Sequence, residues 1–166
     1  VMEIKEAIKT AIRGEIEGRE LYRAAAEKTT DKKAKQNFTL LANEEQKHLE
    51  TLVKLADEYE EGLDLKIPPF PKPTRFEDAQ SPIFTRDFKE KIADKHFEMA
   101  TLSIGMKLEA ESEKFYRETA QSMKEAELKH LFEDLANWEK GHWEYLSTQI
   151  KFFENYYSAP YSLARF

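Results

Sequence analysis

The sequence predicts an all-α protein: a four-helix bundle made of two repeated αα-hairpins joined by a long crossover. Three observations predict it. The 166 residues are 35% charged, hold only five glycines, and are rich in Ala, Glu, Lys and Leu, the composition of long amphipathic helices. Apolar residues recur at helical spacing in four long stretches. The two halves also repeat. Sliding the first by 94 residues superposes 15–52 on 109–146 without a gap, and 14 of those 38 positions are identical.

The first helix is expected over about 3–28, where Ile4, Ile8, Ala11, Ile12, Tyr22 and Ala26 share a face. The second is expected over about 31–60, with Ala34, Phe38, Leu41, Leu49, Leu52, Ala56 and Tyr59 as its stripe. Thr30 or Asp31 is its candidate N-cap and Gly62 its C-terminal stop. Pro68, Pro69, Pro71, Pro73 and Pro82 then exclude a continuous helix. Phe70, Phe76 and Phe84 lie among these prolines, so the crossover (61–98) is expected to lie against the bundle, with a short helix at about 86–97. The third long helix is expected over 99–121, with Leu102, Met106, Tyr116 and Ala120 inward. Ser122-Met123-Lys124-Glu125 reads as a capping box that opens a fourth over about 123–157, with Leu128, Phe132, Leu135, Leu146, Ile150 and Phe153 inward. A tail, 158–166, follows. Short connections make each hairpin antiparallel, and the whole is expected to be one domain.

The function classes narrow before any motif is read. There is no cysteine, which removes disulfides, thiolate zinc, iron–sulfur centres and cysteine nucleophiles. A net charge of −6 argues against nucleic acid and anionic membranes as partners. No apolar run approaches the ~20 residues that span a bilayer, and the N-terminus lacks a signal-peptide layout. A cytoplasmic location is the expectation.

The chemistry lies in residues that repeat. Glu45-Gln46-Lys47-His48 and Glu139-Lys140-Gly141-His142 are both E-x-x-H, which at i and i+3 puts both side chains on one helix face. Glu45 follows Leu41 by four and His48 precedes Leu52 by four; Glu139 and His142 stand likewise between Leu135 and Leu146. Glu15, three after Ile12, and Glu109, three after Met106, also lie on apolar faces. Each helix therefore turns one carboxylate inward, and two helices add an imidazole. Four buried carboxylates need compensation. Two divalent cations supply it, with neutral histidines, and oxygen and nitrogen donors without sulfur suit iron or manganese better than zinc. Tyr22 and Tyr116 have two readings, a core tyrosine with its hydroxyl satisfied or a donor to a ligand carboxylate. Asn43 and Asn137 repeat without a clear chemical role. His96 and His130 read as ordinary residues, and Trp138 and Trp143 as packing.

This pattern resembles the ferritin-like superfamily of di-iron carboxylate proteins, and within it the rubrerythrin-like branch. The spacing Glu15…Tyr22…Glu45-x-x-His48, repeated as Glu109…Tyr116…Glu139-x-x-His142, carries the resemblance across all four long helices. It implies Glu15, Glu45, His48, Glu109, Glu139 and His142 as ligands of two irons, Glu45 and Glu139 as bridges, and the tyrosines as donors to ligand glutamates. It implies an oxidoreductase that reduces hydrogen peroxide or dioxygen, with a ferroxidase and a metal-stabilised, non-enzymatic interaction protein as the alternatives. Rubrerythrins commonly carry an extra Glu three residues after the third-helix ligand, where this chain has Ser112. These residues include no cysteine-ligated rubredoxin domain, so the expected reductant is an external donor. The aromatic run Phe152-Phe153…Tyr156-Tyr157…Tyr161…Phe166 points to a homodimer, and the long connection would permit exchange of helix pairs between its chains.

Overall fold

The computed structural model describes residues 3–62 and 96–162, and among these every regular element is an α-helix. Helix α1 spans Ile4–Lys28, α2 Lys32–Glu60, α3 His96–Ser122 and α4 Ala126–Ser162. Three-residue turns join α1 to α2 and α3 to α4, and the partners in each hairpin pack along their length. The hairpins meet chiefly through α1 and α3. The expected crossover, its aromatic residues and the short helix at 86–97 lie outside the described residues except at the two ends. The side chain of Phe153 and those of the tail also lie outside them.

The helix ends follow local chemistry. Asp31 caps α2, its carboxylate accepting from the Ala34 N–H at 2.9 Å. Gly62 ends the same helix at φ +66°, a backbone region open to glycine without strain. The start of α4 differs from expectation. Ser122 is the last residue of α3, and its hydroxyl donates to the Thr119 carbonyl at 2.8 Å instead of capping α4. Glu125 holds the position that Asp31 holds 94 residues earlier. The Lys129 N–H bonds to the Glu125 carbonyl at 3.0 Å, as the Lys35 N–H bonds to the Asp31 carbonyl at 2.9 Å. The repeat fixes this boundary, and the capping-box pattern three residues upstream is coincidental. Helix α4 also runs to Ser162, beyond the expected end near 157. Pro160 falls in its last turn and offers no N–H to the Tyr156 carbonyl.

The core is two apolar clusters with a polar layer between them. Tyr22, Phe38, Leu41, Ala42, Leu102 and Leu146 belong to one. Their repeat counterparts, Tyr116, Phe132, Leu135, Ala136, Ile8 and Leu52, belong to the other. Each cluster takes most of its residues from one hairpin and is closed by residues from the other. At Gly105 a Cβ would lie 3.0 Å from both Leu146 Cδ1 and the Tyr22 hydroxyl oxygen. Tyr59, expected on the inner stripe, is 40% exposed at the end of α2, past the last buried layer.

The Asp31 cap gives a direct test of these helix ends. Asp31→Ala removes the carboxylate that accepts from the Ala34 N–H and should lower stability by about 1 kcal/mol. The measurement is a lower urea midpoint with unchanged slope.

Candidate metal centre

The polar layer between the clusters contains all six residues expected as ligands. Glu15 comes from α1, Glu45 and His48 from α2, Glu109 from α3, and Glu139 and His142 from α4; none is more than 3% exposed. They form two groups, Glu15, Glu45, His48 and Glu139, and Glu45, Glu109, Glu139 and His142. Within each group the candidate donor atoms lie within 4.8 Å of one another. Glu45 and Glu139 belong to both.

Both imidazoles turn Nδ1 into the layer. His48 Nδ1 lies 3.2 Å from Glu15 Oε2 and 3.3 Å from Glu139 Oε1. His142 Nδ1 lies 3.0 Å from Glu45 Oε1 and 3.5 Å from Glu109 Oε2. The two rings are 5.9 Å apart and nearly parallel, 21° between planes. Despite these short approaches, Glu45 Oε1 and Glu139 Oε1 accept no hydrogen bond of proper direction. Carboxylate oxygens and imidazole nitrogens that converge this closely are arranged to donate to a third atom, and His48 Nδ1 also lies at hydrogen-bond distance, 3.2 Å, from Glu15 Oε2. An all-oxygen and imidazole set, four carboxylates with two histidines, fits divalent metal.

The tyrosines act across the hairpins. Tyr22 donates to Glu109 Oε1 and Tyr116 to Glu15 Oε1. Burial, with the facing glutamate next, pushes both phenols well above their ordinary pKa, so both remain donors. One residue was not anticipated. Glu44, 1% exposed, lies with Oε2 2.7 Å from His142 Nε2 and holds that ring from outside the cluster. A sequence signal for it existed, since Glu44 lies three after Leu41 and four before His48, but its repeat counterpart is Trp138. Trp138 is buried as expected, and its ring meets His48 edge-on at 5.0 Å. His130 is ordinary, exposed and paired with Glu133. Ser112, where the family's extra Glu would stand, lines a depression of about 310 Å³ between α1 and α3 with Gly14 and Tyr116.

The electrostatics divide the carboxylates into two pairs. Burial pushes Glu15 and Glu109 well above the usual range, and the charges of Glu139 and Glu45 push the same way. Burial also opposes ionisation of Glu45 and Glu139, and the charge of Glu45 adds to it at Glu139; His142 and His48 prevail at Glu45, and hydrogen bonding with Glu109, then His142 and His48, prevails at Glu139, so both lie below the usual range. Burial works against charge on His48 and His142 as well, yet the facing carboxylates, Glu15 and Glu109 first, raise both. Without metal, these shifts favour protons on Glu15, Glu109, His48 and His142 and ionised Glu45 and Glu139.

A bundle with one inward carboxylate per helix and an imidazole on two of them defines a helical carboxylate class built around a buried Glu/His cluster. Within it, the chain belongs to the rubrerythrin family, whose profile matches residues 6–149. A solved structure of a hypothetical protein from Pyrococcus furiosus is similar, at 27% identity and TM-score 0.66, over 93% of this chain and 92% of that one. No curated protein matches the chain. Among the described residues no helix is long and apolar enough to cross a membrane.

The raised pKa values give a prediction. Loading divalent ions near neutral pH should release protons from Glu15, Glu109, His48 and His142, whose pKa values are raised. Isothermal titration in buffers of different ionisation enthalpy measures that release. Affinity should fall as pH is lowered, because protons then compete more strongly with metal for Glu15, Glu109, His48 and His142.

Proposed function

We propose that the chain is a di-iron oxidoreductase that reduces hydrogen peroxide. The observation that carries this reading is the sharing of Glu45 and Glu139 by both donor groups. Two separate sites would need separate ligands; a shared pair puts two metals side by side. Glu15 and His48 would complete one position, Glu109 and His142 the other. Manganese suits the same donors.

Two adjacent redox metals would supply the two electrons that turn one peroxide and two protons into two waters. The rest of the work falls to the chain. Glu45 and Glu139 hold both positions at a fixed separation. The Tyr22 and Tyr116 hydroxyls fix the rotamers of Glu109 and Glu15 from the opposite hairpin. The apolar clusters around Phe38 and Phe132 keep bulk water off the layer. An external donor would restore the reduced state. Location in the cytoplasm and assembly as a homodimer are part of the proposal. All six residues come from one chain, so a complete site does not require exchange of helix pairs.

The test is reconstitution with Fe(II) without oxygen, elemental analysis, and stopped-flow absorbance on mixing with peroxide or dioxygen. The proposal expects about two irons per chain and faster oxidation by peroxide. Faster oxidation by dioxygen would favour a ferroxidase, and tight zinc with no optical change a structural metal site. Tyr22→Phe and Tyr116→Phe should keep the fold and reduce metal affinity or turnover about 10- to 100-fold. Glu45→Ala or Glu139→Ala, by removing a shared ligand, should reduce metal content at both positions.

A further inference from the structure

The depression between α1 and α3 ends one side chain away from the candidate ligands. Tyr116 lines it, and the Tyr116 hydroxyl donates to Glu15 Oε1. Tyr116 is itself buried, so it forms the inner wall between the depression and the polar layer. Gly14, on the same wall, immediately precedes Glu15.

Gly14 is the telling residue. It lies inside α1 with its φ negative, so no turn requires a glycine there, and Ala would suit the helix better. Packing does not require it either. Among the described residues a Cβ on Gly14 would meet Ser112 Oγ alone, at 3.7 Å, an ordinary contact. What that methyl group would do is occupy the space between Gly14 and Ser112, both of which are half-buried. The absent side chain keeps the depression open at the point nearest Glu15. The volume, about 310 Å³, is ample for a molecule little larger than water. Leu108 and Phe115 supply apolar wall, Ser112 a hydroxyl, and the rim sets Arg13 against Glu17 and Glu111. Charges of both signs at an exposed rim favour neither anions nor cations strongly. The lining suits a small neutral molecule that can hydrogen-bond.

We propose that this depression is the way in for the oxidant, with hydrogen peroxide passing between Gly14 and Ser112 and along the Tyr116 ring to the layer. The inference rests on the peroxide reading above. Gly14 and Ser112 then set the size of what enters, without belonging to either donor group. Tyr116 has two tasks: it holds Glu15, and its ring is the last wall the entering molecule passes.

Nitric oxide, which is small, neutral and bound by ferrous iron, tests access without turnover. The Fe(II)-loaded full chain is mixed with it in the absence of oxygen, and association and release are each timed by visible absorbance. Gly14→Leu and Ser112→Leu fill the depression. Each should slow association and release together, about tenfold, and leave affinity unchanged, because an obstacle on the path is met in both directions. Oxidation of the iron by peroxide should slow by the same factor. Gly14→Ala fits the space that exists and favours the helix, so it decides the matter if a larger variant folds poorly; it should slow both rates by a smaller factor. Wild-type rates in the variants, Gly14→Ala included, or a loss of affinity with association unchanged, would overturn the inference; faster oxidation of wild-type iron by peroxide than by dioxygen would still uphold the proposed function. Slowed nitric oxide exchange in a chain whose iron peroxide does not oxidise would uphold the route and overturn the peroxide reading alone. A wild-type chain that binds no iron would overturn both.

Discussion

Four carboxylates buried in one layer of a small helical core are the constraint around which this protein is built. An isolated carboxylate at such a depth costs several kcal/mol or takes up a proton, and four together add mutual repulsion. The layer can exist only with about four positive charges inside it, as protons or as metal. In the metal-free state the raised pKa values of Glu15, Glu109, His48 and His142, with the lowered ones of Glu45 and Glu139, push the layer toward that balance. The same condition makes the layer ready for metal, since a proton and a cation compete for the same lone pairs.

The apolar clusters on either side follow from that layer. Tyr22 with Phe38, and Tyr116 with Phe132, are the large buried groups that border it. Each tyrosine presents a ring to its own cluster and a hydroxyl to the glutamate of the other hairpin. The hairpins are therefore joined by packing and by two buried hydrogen bonds to the groups most in need of donors. The close approach at Gly105 lets α4 and Tyr22 reach that arrangement. Folding, and orientation of the candidate ligands, are here carried by the same contacts.

Much of this was legible in the sequence because the repeat singles out residues that answer to one symmetric layer. Glu15, Glu45, His48 and their counterparts stood out by recurring on apolar stripes, where a charged residue needs a reason. The E-x-x-H spacing gave the shared face. What escaped was whatever broke the repeat or depended on the approach of distant helices. Glu44 was passed over because its counterpart is a tryptophan, although its place between Leu41 and His48 already set it on the buried face. That Tyr22 bonds Glu109 rather than Glu15, its own helix neighbour, follows from how α1 and α3 meet, which no local pattern encodes. The start of α4 was misread because Ser122…Glu125 satisfies a common capping pattern, while the true boundary follows Asp31 and its counterpart Glu125.

The central claim is that Glu45 and Glu139 bridge two metal ions. Anomalous diffraction at the iron edge, from crystals of the chain loaded with Fe(II), tests it most directly. The account predicts two strong peaks inside the bundle about 3.5–4 Å apart, with oxygens of Glu45 and Glu139 reaching both. A single peak, two peaks that share no carboxylate, or iron only on the surface would contradict it.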